Sequence, residues 1–145
     1  DSTTDPEHKT VCLYSTGNAV SNQRLGKLNS IKTAHTEDGI LFSVTFEKYS
    51  DGTVCLAEAS AIPTWVNMHR NGNGKTEYNI LPLDPDHRNE WNALFELGDT
   101  STKAANDSYT RTMDIIGAGL ESVESYLSSE KAAREEYYLD LALAS

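Results

Sequence analysis

The clearest pattern along the chain is an alternation of apolar and other residues in its middle third. The apolar members are Ile40, Phe42, Val44 and Phe46. A period of two is typical of a strand with one buried face. The Asp51-Gly52 dipeptide that follows favours a tight hairpin. The pattern therefore predicts a strand over residues 40–47 that turns back at residue 51.

Two more strand segments follow this one. Residues 53–62 alternate large apolar side chains with a second set of small ones. The small set is Cys55, Ala57, Ala59 and Ala61, which suggests a face closely covered by another layer. Pro63 interrupts this segment, so we expect the strand to end there at an edge or bend. A turn at residues 71–74 then leads to a third strand over 76–81, closed by Pro82.

The first part of the chain is less regular. Residues 11–14 form a short apolar, β-prone run that reads as a buried strand. The run stops at a turn cluster, residues 15–18, in which Gly17 and Asn18 both tolerate positive φ. Residues 19–36 show little periodicity and are predicted to form a long loop.

The pattern changes to helical spacing after Pro85. Asp86 is a candidate N-cap for a first helix that Gly98 would stop. Thr100 or Ser101 could cap a second helix, which Gly117 and Gly119 would end or loosen. A third helix is predicted over residues 130–143, extending from the domain rather than packing in its core.

These segments place the chain in the α+β class, as an antiparallel β-meander followed by C-terminal helices. The length of 145 residues suits one ordinary domain. We expect a β portion over residues 1–98 and a helical extension over residues 99–145.

Charge narrows the possible functions. The formal net charge is -10, which disfavours nucleic-acid binding and docking on anionic lipid, because both need clustered Lys and Arg.

No apolar run reaches the length of about 18 residues that a membrane span needs. Residues 1–9 are polar and lack the apolar centre of a signal peptide. Because Asp1 stands where an initiator Met is expected, we interpret the chain as a processed product or a piece of a longer protein.

Metal and nucleophile motifs are not evident. The four histidines are His8, His35, His69 and His87, and none has zinc-ligand spacing. Two cysteines are too few for a disulfide scaffold, so Cys12 and Cys55 are either free buried thiols or one disulfide. No nucleophile elbow or phosphate loop occurs. We therefore predict no catalytic residue, no metal ligand and no cofactor within this chain.

Several residues admit both a functional and an ordinary interpretation. The carboxylate pairs Glu37-Asp38, Asp84/Asp86 and Glu135-Glu136 could act in acid–base chemistry, or be solvated charges or helix caps. Trp65 and Trp91 could line a ligand surface or belong to the core.

The loop after the first strand carries the candidate binding residues. Ligands tend to bind on loops at strand ends, and this loop offers hydrogen-bonding side chains. These are Asn18, Asn22, Gln23 and Arg24. An ordinary polar loop explains the same residues equally well.

Residues 11–24 read V-C-L-Y-S-T-G-N-A-V-S-N-Q-R. The run resembles a segment of bacterial poly-γ-glutamate capsule proteins of the CapA type, in which an apolar run leads into Y-S-L-G-N-F-x-x-x-Q. Thr16 and Ala19 depart from the usual Leu and Phe. Three later segments agree in order: residues 36–40 (T-E-D-G-I), 62–66 (I-P-T-W-V) and 78–83 (Y-N-I-L-P-L). The resemblance covers roughly residues 10–84.

This resemblance implies a relative of calcineurin-type metallophosphoesterases, with a two-sheet core flanked by helices. The family's metal ligands come from an early D-x-H-like element, a middle N-N-H and an H-x-H-x-x-Q shortly before the Y-S-x-G-N strand. This chain begins after them, so a divalent metal would belong to the longer protein. The four binding candidates would lie near the rim of that site.

The implied role is capsule or extracellular polymer production at the cell surface, with membrane anchoring through the part that precedes this chain. The implied partners are the remainder of the same polypeptide and, beyond it, capsule polymer or proteins of the synthesis complex. Two alternatives remain open. One is a stand-alone extracellular module that binds a polymer or protein, and the other is a structural domain whose exposed sheet pairs with the missing half.

Overall fold

Three strands fold back on one another and are followed by helices in the computed structural model, which describes residues 11–19, 21–27 and 29–143. The strands are β1 (Asp38–Lys48), β2 (Val54–Arg70) and β3 (Thr76–Pro82), antiparallel in the order β1-β2-β3. The helices are α1 (Arg88–Leu94) and α2 (Asp99–Leu143), with 3₁₀ turns at Ala34–Glu37 and Pro85–His87. The predicted α+β class and antiparallel meander are confirmed.

Both predicted hairpin turns are present. Gly52 has φ 93 and Gly74 has φ 73, in the left-handed region that glycine enters without a steric penalty. In the second turn the side-chain oxygen of Asn71 accepts from the backbone N–H groups of Asn73 and Lys75, both at 3.0 Å. Local turn chemistry therefore fixes where each strand reverses.

β2 is longer than its sequence suggests, because Pro63 lies inside it. Pro63 pairs with Ile40, whose backbone N–H points away from β2 toward Thr16. The missing N–H of Pro63 therefore faces the β3 side, where β3 ends and the Pro63 carbonyl accepts from Leu83. The prediction that the strand ends at Pro63 was wrong, because β2 continues to Arg70 and the proline gives up only the one bond that its N–H could have made to Leu83, beyond the end of β3.

The hydrophobic core lies between the end of the sheet and the start of α2. Its buried members are Trp65, Leu81, Leu83 and Ala105. Trp91 is partly buried against the same cluster, so both tryptophans belong to the core rather than to a ligand surface. Ala59 and Ala61 lie on the face of β2 turned toward α2 and are half-buried, but they line an open groove, so the close cover that their small size predicted is wrong here.

α2 is one continuous helix, where the sequence suggested two helices separated near Gly117 and Gly119. A glycine inside a helix costs about 1 kcal/mol relative to alanine, and the flanking residues form good helix. The helix has 45 residues and spans roughly 68 Å. Its partly buried positions recur every three to four residues and face the sheet. Packing along one face outweighs the two glycines. The domain boundary at residue 98 stays a prediction.

The start of α1 also differs from expectation. Its N-cap is His87, which makes no side-chain capping bond, so Asp86 is not the cap. Asp84 instead caps the 3₁₀ turn that precedes α1, because its carboxylate accepts from the Asp86 backbone at 3.0 Å and contacts the His87 ring at 2.7 Å.

The Asp84–His87 contact makes the His87 titration a test of this turn. The hydrogen bond to Asp84 raises the pKa of His87, and the same bond lowers the pKa of Asp84. The His87 contribution to stability is therefore complete below about pH 6.5 and lost as the pH rises through its folded pKa. The Asp84 contribution is present above its unfolded pKa and lost as the pH falls through its lowered one. We expect an NMR midpoint for His87 above the ordinary histidine value of about 6.5, and Asp84→Asn should remove the elevation. An unchanged midpoint in Asp84→Asn would contradict the contact.

Residues 11–14 do not form the predicted strand. Gly17 makes an isolated antiparallel bridge with Gly39, but the chain leaves β1 before residue 16. Cys12 is exposed and Cys55 is half-buried, and both are free thiols. Strand propensity alone does not hold a segment on a sheet edge, because a strand needs ladder bonds and cover.

Candidate functional site

The loop that carries the binding candidates is fixed at its start by a close backbone approach. The N–H of Asn18 donates to the Asp38 carbonyl and the N–H of Ile40 to the Thr16 carbonyl, both at 2.8 Å. A Cβ on Gly17, whose φ is 69, would lie 2.6 Å from the Asp38 carbonyl oxygen. Only glycine fits this approach, so the two backbones can pair here.

Asn18 then folds the loop back on itself. Its amide nitrogen donates to the carbonyls of Ser21 and Thr36, at 2.7 and 2.6 Å, and its oxygen accepts from the Ser21 backbone at 2.7 Å. Both amide donors and the oxygen are therefore occupied within the chain. In this conformation Asn18 shapes the loop, and it has no donor left for a ligand.

Arg24 is buried beneath the loop. Its guanidinium donates to Glu37 Oε2 at 2.9 Å and to the Val66 carbonyl, and its Cζ lies 5.7 Å from the centre of the Trp65 ring. β1 begins at Asp38, opposite Trp65, so no strand within the described part of the chain pairs with Val66 on that side. The Arg24 side chain thus supplies the donor that a continued β1 would have supplied.

The Glu37 carboxylate accepts three hydrogen bonds beneath the same loop. Besides Arg24, it accepts from the Trp65 indole at 3.1 Å and from the Leu25 backbone at 3.2 Å. The side chains of Arg24 and Glu37 are only 11% and 12% exposed. A buried pair with further hydrogen bonds is more specific in geometry than an exposed one.

Replacing Arg24 by lysine tests this geometry. Lysine keeps the charge but cannot bond Glu37 and Val66 at once, so we expect a loss of about 1–2 kcal/mol in the free energy of unfolding. The tryptophan emission should also change, because the guanidinium no longer lies over the Trp65 ring. Arg70→Lys is the matched control, since Arg70 is exposed and makes one long contact of 3.4 Å. Equal losses in the two variants, measured by denaturant unfolding, would refute this account.

Asp38 is the centre of a second network, on the α2 side. It accepts from Ser108 Oγ at 2.6 Å and from Arg111 at 2.6 and 2.9 Å, and His35 Nδ1 lies 3.7 Å away. Ser108 is fully buried. The hydrogen bond to Asp38 raises the pKa of Arg111, so the guanidinium keeps its charge throughout the neutral range. Glu37 and Asp38 thus connect the loop, β1 and α2.

The structure separates the four binding candidates. Asn18 and Gln23 line a shallow polar recess of about 400 Å³ together with His35. Asn22 points elsewhere and donates to the Tyr78 hydroxyl at 2.8 Å on the exposed surface. Arg24 is buried in its own network. Gln23 and His35 therefore offer side chains to the recess, beside the hydroxyl residues Ser15, Ser21 and Thr36 that also line it.

A larger apolar groove of about 720 Å³ runs between the sheet and α2. Ile40, Phe42 and Ala61 form its floor, and Ile116 and Leu120 lie on its α2 wall. Residues 11–15 border its other side. One end is polar, with His35 and Asp38. The sequence indicated a covered face here, but α2 leaves this part of the sheet open.

Within residues 11–19, 21–27 and 29–143, no three His, Cys, Asp or Glu side chains cluster as metal ligands. No helix in the same ranges has both the length and the apolar character needed to cross a bilayer. The two networks hold their carboxylates in ion pairs with arginine, which suits positioning of the backbone. His8 lies outside the described residues.

Comparisons with family models, curated proteins and solved structures found no match to this chain.

Proposed function

We propose that this chain is the C-terminal, non-catalytic part of a poly-γ-glutamate capsule-type protein related to metallophosphoesterases. The ordered motifs over residues 10–84 support this proposal, and the Y-S-x-G-N element carries it. The glycine of that element, Gly17, is required by the approach to Gly39. Its asparagine, Asn18, fixes the following loop through three hydrogen bonds. The resemblance therefore falls on residues whose chemistry the local fold needs.

The apolar groove supports the same proposal. Its lining is mainly apolar, and exposed surface of this kind marks a site where another layer packs. In the proposed protein this layer is the preceding part of the same polypeptide, which would also supply the metal ligands. The recess beside Gln23 and His35 would lie near the rim of that metal site. The protein would act at the cell surface, in capsule or extracellular polymer production.

The test compares the chain alone with a longer protein that includes the coding region immediately upstream. With Mn²⁺ and a generic phosphodiester, we expect no turnover from residues 1–145 and measurable turnover from the longer protein. Replacing both histidines of an upstream H-x-H element should abolish that turnover. Turnover by the chain alone, or an upstream region without this element, would refute the proposal.

A stand-alone binding module is the second candidate, and the polar recess is the observation that favours it. Chemical-shift mapping with oligo-γ-glutamate and with a neutral glycan would test it. Binding in the recess should shift the amides near Gln23 and lose affinity in Gln23→Ala, while the exposed turn variant Asn73→Ala should bind normally. The net charge of -10 favours the neutral glycan over the polyanion. No shift at millimolar ligand would exclude both ligands.

A further inference from the structure

Among the described residues, the outer edge of β1 is paired only at its beginning. There the Ile40 N–H donates to the Thr16 carbonyl, and the Asn18 N–H donates to the Asp38 carbonyl. Two such bonds flanking the Gly17–Gly39 bridge make it a non-hydrogen-bonded pair of an antiparallel ladder. A ladder with a defined register has therefore started at this edge.

Continuing that ladder by one residue at a time fixes every later pair. Tyr14 would lie opposite Phe42, and Cys12 would lie opposite Val44. Backbone groups alternate in direction along a strand, so the N–H and C=O groups of Phe42 and Val44 point outward like those of Ile40. No described residue outside the sheet bonds with these groups of Phe42 and Val44. They are open to a strand that arrives in this register.

The side chains of residues 11–15 suit such a strand. The sequence V-C-L-Y-S is β-prone. Tyr14 is 98% exposed, which is unusual for a large aromatic residue. In the continued register Tyr14 would stand beside Phe42 on the groove side of the sheet, where Phe42 already lines the floor. Cross-strand aromatic pairs of this kind stabilise antiparallel sheets.

We propose that residues 11–15 are a strap that seats on β1 as a fourth strand, in the register set by the Gly17–Gly39 bridge. The described conformation is the released state, in which the strap borders the groove and Tyr14 faces solvent. Seating closes the open edge of β1, which otherwise invites pairing with another chain. It also covers the floor of the groove with Tyr14. Because only residues of this chain take part, the strap can be tested without the preceding part of the proposed protein.

Cysteine cross-linking tests the register directly. Paired Cα atoms lie about 5.5 Å apart in a hydrogen-bonded antiparallel pair, within disulfide range. In a Cys55→Ser background, Val44→Cys should therefore cross-link to Cys12 when oxidised glutathione accepts the electrons. Ser43→Cys and Thr45→Cys are the matched controls, because their side chains point to the opposite face of the sheet.

We expect at least a tenfold higher yield of the disulfide in Val44→Cys than in either control, measured by peptide mapping. Equal yields in the three variants would show an unpaired strap, and a higher yield at position 43 or 45 would show another register. Either result, or no cross-link at all, would overturn the proposal.

Amide hydrogen exchange tests the strap on the unmodified chain, so the result does not depend on whether a variant folds. Leu41 and Ser43 direct their amides to β2 and serve as internal references. If the strap is seated, the Phe42 and Val44 amides should exchange at least tenfold more slowly than their intrinsic rates. Exchange of both amides at the intrinsic rate would overturn the strap, even if the references are fully protected.

Discussion

Replacing Asp38 by alanine is expected to lower the free energy of unfolding by about 3 kcal/mol, near the lower end for breaking a buried pair. The substitution leaves Ser108 Oγ and the Arg111 guanidinium without their acceptor. Ser108 is fully buried and cannot turn to water. The Arg111 side chain is 25% exposed, so part of its charge can be solvated, which limits the loss.

Two further variants separate charge from hydrogen bonding at this position. Asp38→Asn keeps one acceptor oxygen and loses the charge, so we expect about half of the loss in Asp38→Ala. Asp114→Ala removes an exposed carboxylate from α2, the helix that carries Ser108 and Arg111. It should change the free energy of unfolding by less than about 0.5 kcal/mol. The free energy of unfolding is measured by urea denaturation. Its slope against urea concentration should be the same in all variants. A loss below about 1 kcal/mol in Asp38→Ala would mean that the network does not join β1 to α2.

The strands were the most predictable part of this fold. The strand over residues 40–47 and the two turns follow from local signals, and each is present in the structure, although Val44 and Phe46 of the predicted buried face are exposed. The prediction at Pro63 failed because the effect of a proline in a strand depends on which neighbouring strand its missing N–H faces. That direction is set by the pairing of β2 with Ile40 and by the end of β3, and neither is encoded near residue 63.

The candidate site was less predictable than the strands. Side-chain type showed that Asn18 and Arg24 can form hydrogen bonds, but not that the fold itself would occupy them. The Glu37-Asp38 pair was recognised as acidic, yet its interpretation as solvated charge was wrong, because arginines cover both carboxylates. Arg111 lies 73 residues from Asp38 in sequence, and no local pattern signals a contact at that separation.

Gly39→Ala is expected to release the start of the loop from β1 and to lower the free energy of unfolding by about 2–3 kcal/mol. A Cβ at this position would lie 2.6 Å from the Asn18 carbonyl oxygen and 2.7 Å from Thr64 Oγ1. Real carbon contacts do not reach these distances, so something must move. The oxygen of Asn18 belongs to the backbone of a loop that Asn18 itself folds, and it cannot rotate away as a side chain could.

The loss of contact between the loop and β1 in Gly39→Ala can be followed at individual amides. The amide protons of Asn18 and Ile40 donate the two bonds at this approach, so both should exchange faster in Gly39→Ala while amides in the β2–β3 ladder keep their protection. Adding Thr64→Ala should not restore stability, because the backbone contact remains. Gly72→Ala is the control, since a Cβ there meets nothing within 4 Å. If Gly39→Ala kept normal stability and slow exchange at Asn18, the glycine pair would not be what holds this loop on the sheet, and the strap would lose the bridge that sets its register.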